Sequence, residues 1–259
     1  MSDHSTEAAV PDLQLVIERQ KALGKRLMWL LLVPFIITGV LVYMFIVIKN
    51  ELASVQTSSK LVQIELILGR EHNYQWAIRE YETIAQYHKS SPILARLGTL
   101  YFLANHNDTP RALSTLLEAN RLDPLAWEPY RGLTFVYATM DKPKEALKAG
   151  KKALKFNGLD ANAYNNLAWV CSHTQNIQYR DLSLALEYGK KAVELSNERD
   201  PDYIDTLAGV YMQFEDLDSQ HQAVALLKKA VMISPNDRKS NFIAHLREHF
   251  PEEKLEDLR

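Results

Sequence analysis

Apolar and polar positions follow two different patterns along this chain. From Leu27 to Ile48 the sequence LMWLLLVPFIITGVLVYMFIVI holds no charged residue. At 1.5 Å per residue such a run makes a helix of roughly 33 Å, enough to cross a hydrocarbon core of about 30 Å. Beyond Ser59 the apolar residues recur instead at helical spacing, with charged faces between them, as amphipathic helices require. Trp127, Tyr130, Leu133, Val136 and Tyr137 form one such face. The turn Met140–Pro143 follows, and Ala146, Leu147, Ala153 and Leu154 form the next.

Alanines punctuate these helices in a fixed rhythm. Ala112 and Ala119, Ala146 and Ala153, Ala185 and Ala192, and Ala223 and Ala230 are each seven apart. Five residues after each second alanine stands Pro124, Gly158, Asn197 or Pro235. Ahead of each first alanine lies a leucine followed by a small residue: Leu97-Gly98, Leu133-Thr134, Leu167-Ala168 and Leu207-Ala208. Each unit predicts two helices that approach closely at the alanines, where a larger side chain would push them apart. A unit of this size cannot close a core alone, so neighbouring units must stack.

These residues resemble the tetratricopeptide repeat. The unit starting at Trp127 matches its pattern without a gap through Tyr130, Leu133, Thr134, Tyr137, Ala146 and Ala153. Units starting near Ser91, Ala161 and Pro201 match with longer turns, the longest between His173 and Ser183. Gly150 and Gly189 stand where the pattern has a larger side chain and are expected to leave local slack. Cys171 replaces a tyrosine and is expected to be a small core residue. A weaker copy around Ile64, Leu68, Tyr74, Ala77, Tyr81 and Ile84 opens the array, and Ser240–Phe250 reads as a capping helix. The expected fold is all-α: an α-α superhelix, or tetratricopeptide solenoid, preceded by one transmembrane helix. Its segments are an arm over 1–26, a membrane helix over 27–48, a linker over 49–58, the array with its cap over 59–250 and a charged tail over 251–259.

The resemblance implies that the first helix of each unit lines a groove that holds a peptide segment of a protein partner. Carried over residue by residue, the groove positions include Phe102 from the first unit, then Arg131 and Phe135. The third unit gives Asn162, Asn165, Trp169 and His173, and the fourth gives Asp202, Asp205 and Met212. Aromatics would anchor the peptide and amides would bond its backbone. Family members that clamp a C-terminal carboxylate use basic residues and asparagines across three units. Here Phe135, Asp202 and Thr206 stand at places where that clamp needs other side chains, so a clamp is not expected.

Orientation follows from the flanks of the apolar run. Arg19, Lys21, Lys25 and Arg26 precede it, against Lys49 and Lys60 after it. That bias keeps the arm in the cytoplasm and exports the body. Glu51 stands two residues before Ala53, a poor site for signal cleavage, so a retained anchor is expected. The layout resembles membrane-anchored bacterial envelope proteins that serve cytochrome c maturation or the secretion translocon. It leads us to expect a periplasmic body on a bacterial inner membrane.

Composition narrows the rest. A formal net charge of -2 gives no field for nucleic acid. One cysteine permits neither an internal disulfide nor a thiolate metal cage. Cys171-Ser172-His173 lacks the second cysteine of a haem-attachment motif. His245 and His249 share a helical face without a third ligand, and the lysines around Lys151 read as a solvated outer face. No nucleotide loop or catalytic constellation is present. The expected function is a non-enzymatic scaffold without a cofactor. The alternative is an accessory subunit of a membrane enzyme, cytochrome-maturation or secretion complex that uses its membrane helix as a contact surface.

Overall fold

Prolines and acidic or amide caps fix where the helices start. Pro92, Pro110, Pro143 and Pro201 each lie in the first turn of a helix, where a missing N–H costs nothing. Asn73, Asp160, Asp181, Asp200 and Asp216 accept hydrogen bonds from the first N–H groups of the helices they cap. The computed structural model describes residues 13–105 and 108–252, and these are almost wholly helical. The expectations for residues 1–12 of the arm and 253–259 of the tail lie outside the described residues.

The long helix α1 runs over Leu13–Glu71. Repeat helices follow in pairs: α2 (Tyr74–Tyr87), α3 (Ser91–Ala104) and α4 (Thr109–Leu122), α5 (Trp127–Thr139) and α6 (Pro143–Phe156). Then come α7 (Ala161–His173) and α8 (Leu182–Leu195), α9 (Pro201–Tyr211) and α10 (Leu217–Ile233), and the capping helix α11 (Lys239–His249). The chain divides into two compact units, Met1–Gln63 and Ile64–Arg259.

In the first unit, the large apolar side chains from Leu27 to Ile48 are 36–76% exposed. This stretch is long and apolar enough to cross a membrane. The Thr38 hydroxyl donates to the Pro34 carbonyl at 2.7 Å, so the helix satisfies its own polar side chain. Residues 49–58, expected as a linker, lie within α1. No proline interrupts the sequence there, and the first glycine after the apolar run is Gly69. The helix stops at His72, whose left-handed backbone (φ 50°) turns the chain into α2.

In the second unit, helices pair as α3–α4, α5–α6, α7–α8 and α9–α10, and the first helices α3, α5, α7 and α9 lie side by side. All eight alanines of the ladder are fully buried at these crossings. Cys171 is buried as expected, and burial pushes its thiol up to about 11. Gly150 and Gly189 leave no slack, which corrects the expectation. A Cβ on Gly150 would lie 2.5 Å from Leu167 Cδ2, and one on Gly189 would lie 3.0 Å from Leu207 Cδ1. The leucine of the next unit's first helix fills each notch. In the first repeat the roles reverse: Leu116 is the knob, pressed against Gly98 and Gly132.

The long turn between α7 and α8 is held by Arg180, whose guanidinium donates to the Thr174 carbonyl at 2.8 Å. Asp141, at φ 49°, accepts from the Thr174 hydroxyl at 2.9 Å and so ties the second repeat to the third. Phe242 and Leu246 of α11 close the last core against α9 and α10.

Candidate functional site: the inner face of the repeats

The side-by-side first helices present one face away from the second helices. Along it, α5, α7 and α9 carry the expected groove positions at successive turns. Two adjoining cavities open there.

The first, about 300 Å³, is lined by Phe135, Ala138, Thr139, Asn165, Asn166 and Trp169. Trp169 is 38% exposed and stacks on His173, with ring centroids 5.4 Å apart and planes within 6°. The His173 Nδ1 lies 2.7 Å from the Ser172 hydroxyl. Burial is the main reason that the His173 imidazole titrates below the ordinary histidine range, so it is uncharged at neutral pH. Phe135 forms the floor, half-buried, with its ring edge-on to Phe102 at 5.3 Å.

The second cavity, about 400 Å³, is shared by Phe135, Asn162 and Asn165 with charged residues. Arg131 lies 3.9 Å from Asp160 and stacks over Trp127 at 4.8 Å. Burial pushes the Asp160 carboxyl up, and the Arg131 charge and the backbone N–H groups of Ala163 and Asn162 draw it partly back. Arg96 is held by Glu65 through hydrogen bonds of 2.8 and 2.5 Å. Asp202 pairs with Arg238 of the cap region.

Six of the expected residues therefore line this face: Arg131, Phe135, Asn162, Asn165, Trp169 and Asp202. Four do not open into either cavity. Phe102 is 1% exposed, because the ring of Phe135 and the helix of the next repeat cover it. It is a core residue, not a groove residue. His173 backs Trp169. Asp205 faces the cap, where its Oδ1 lies 2.6 Å from His245 Nδ1. Met212 packs against the core of the last repeat. His245 and His249 meet edge to face at 5.0 Å, and no group of three metal-ligating side chains exists among the described residues.

The residues assigned to the groove did not include Arg96, Asn166 or Asp200, which line the second cavity. Arg96 and Asn166 each sit one residue after a groove position, on the inner edge of the same helices. Asp200 is the N-cap of α9, where its Oδ1 accepts from the Asp202 N–H at 2.9 Å. The periodic signal for the first two was present; the cap's inward position was not.

Several solved structures are similar to this chain. TTC0263, a thermophilic TPR protein in Thermus thermophilus, is similar over 75% of this chain and 99% of its own, at 18% identity and a TM-score of 0.61. MamA 41-end from Desulfovibrio magneticus RS-1 matches over 68% of this chain and 94% of its own, at 21% identity and a TM-score of 0.46. YrrB, described as a TPR protein with an unusual peptide-binding site, matches over 70% and 87%, at 17% identity and a TM-score of 0.45. No protein-family model matches the chain, and no curated protein matches it. At these identities the likeness concerns fold, and the superposition on TTC0263 carries it. The paired helices that follow the long apolar helix form a tetratricopeptide-repeat solenoid.

Proposed function

We propose that this protein is a membrane-anchored scaffold whose inner repeat face binds a peptide segment of a partner protein. The half-exposed Trp169, set at the edge of an open cavity between two repeats, carries this reading. An aromatic of that size left accessible at a cleft is the common anchor of protein recognition. The Ser172 hydroxyl beside His173 is fully buried and also lies within hydrogen-bond distance of the Ala168 carbonyl, and no group of three metal-ligating side chains exists among the described residues. The apolar stretch of α1 serves as the anchor. A soluble core helix would have its apolar side chains covered, and these are exposed. The basic flank puts the N-terminal arm in the cytoplasm and the repeats outside it, on a bacterial inner membrane.

The experiment is a partner pull-down in mild detergent with four variants, their folding checked by circular dichroism. Trp169→Ala and Asn165→Ala lose the partner, while Lys151→Ala and Lys190→Ala on the outer helices retain it. Trp→Ala at an anchor costs about 2 kcal/mol of binding or more. Normal binding by the folded groove variants, with loss in the lysine variants, would move the working surface to the outer face. Replacing Leu27–Ile48 by an unrelated apolar helix leaves binding intact; loss of the partner would assign the contact to the membrane helix. Protease added outside spheroplasts digests the repeats, and full protection would reverse the orientation.

A further inference from the structure

Most of the charged side chains along the inner face have partners within the protein. Glu65 holds Arg96, Asp160 faces Arg131, Arg238 pairs with Asp202, and Asp200 is committed to capping α9. At Arg96, Arg131 or Asp202, a charge on the ligand would have to displace one of these partners and leave the other partly desolvated and unpaired. The groups that remain open are of a different kind. Trp169 offers an accessible ring face, Phe135 an apolar floor and Asn165 a carbonyl oxygen that is buried without a donor. His173 behind Trp169 is uncharged at neutral pH. The cavity between the two rings, about 300 Å³, is at the lower end of the range for small ligands, roughly 300–1,000 Å³.

We infer that the bound segment is uncharged where it docks: a bulky apolar side chain enters between Phe135 and Trp169, and an adjacent backbone N–H donates to Asn165. This rests on the groove reading above and gives it a chemical class. That bond requires the Asn165 amide to turn its oxygen, buried in this structure, into the cavity that the residue lines. Such binding draws on burial of apolar surface and a neutral hydrogen bond, so it depends little on ionic strength, unlike attraction between exposed charges.

The test uses the full-length chain in lipid nanodiscs with 15N-labelled tryptophan. The indole N–H of Trp169 is assigned by its loss in Trp169→Phe. Three probes are titrated at low and high salt: N-acetyl-phenylalaninamide, N-acetyl-glutamic acid amide and N-acetyl-lysinamide. The neutral aromatic probe shifts the Trp169 signal saturably and binds roughly tenfold tighter than either charged probe, a gap of the size seen for well-placed anchors. Salt leaves its affinity nearly unchanged. Phe135→Ala weakens it. Asn165→Leu, similar in volume and lacking the acceptor, weakens it as well and serves alone if Phe135→Ala unfolds. A charged probe binding as tightly at Trp169, or an affinity that falls steeply with salt, overturns this inference and leaves the groove reading standing. An indole signal that no probe moves overturns both. Unchanged affinity in folded Asn165→Leu removes the backbone hydrogen bond from the proposal.

Discussion

At the scale of single residues, size at the repeat seams decides more than polarity. The eight alanines are buried because two helices cross there, and Gly150 is glycine because Leu167 occupies the space of its Cβ. Gly150→Ala gains up to about 1 kcal/mol of helix propensity but forces Leu167 from its site at a cost of about 1–3 kcal/mol, so the net is a loss of up to about 2 kcal/mol. Gly158→Ala is the control: its Cβ would meet only the Leu154 carbonyl at an ordinary 3.6 Å, and its backbone needs no left-handed angle. Thermal melts of the two variants check this; equal shifts would mean that the notch at Gly150 tolerates a methyl group.

At the scale of elements, ion pairs and capping bonds join helices that helix propensity alone leaves independent. The last turns of α1 become part of the first repeat through Glu65, which accepts from the Tyr81 hydroxyl at 2.6 Å and from Arg96. Burial pushes the Glu65 carboxyl up, but hydrogen bonds from Arg96 and Tyr81, with the Arg96 charge, more than offset it and hold it below the ordinary range. A carboxylate lowered in the folded state contributes stability above its unfolded value, about 4.3, and loses it as pH falls through the lower folded value. With the Glu65 side chain 40% exposed, solvent screening limits the effect to about 1 kcal/mol or less. Glu65→Gln therefore lowers the melting temperature at neutral pH, and the gap from wild type closes only as pH falls below about 4. A gap that stays constant with pH would show that the charge of Glu65 contributes nothing.

At the scale of the whole molecule, a solenoid holds its stability in neighbour-to-neighbour interfaces, so damage at one end stays near that end. The cap α11 covers the last repeat with Phe242 and the fully buried Leu246. Phe242→Ala costs about 3–5 kcal/mol at that interface. Amide exchange then accelerates in α9, α10 and α11 and stays near wild-type rates in α3 and α4. Uniform acceleration across the array would mean that the repeats unfold as one cooperative body.

The sequence by itself determined the helices, their pairing and the apolar stretch. Each of these is written locally, in periodicity within one helix and in the small residues that a close crossing demands. It also marked which helix face points inward, and six of the ten residues assigned to the groove line the two cavities on that face. Only the tertiary structure decided which inward residues stay open. Phe102 and Trp169 were both assigned to the groove, three places apart in the repeat, yet one is buried and the other is half exposed. The same holds for charge: Arg131 and Asp202 read as groove chemistry until Asp160 and Arg238, contributed by other elements, are seen beside them. Helical phase fixes the direction of a side chain; what lies in that direction depends on how the neighbouring repeat is set against it, and no single-helix pattern encodes that.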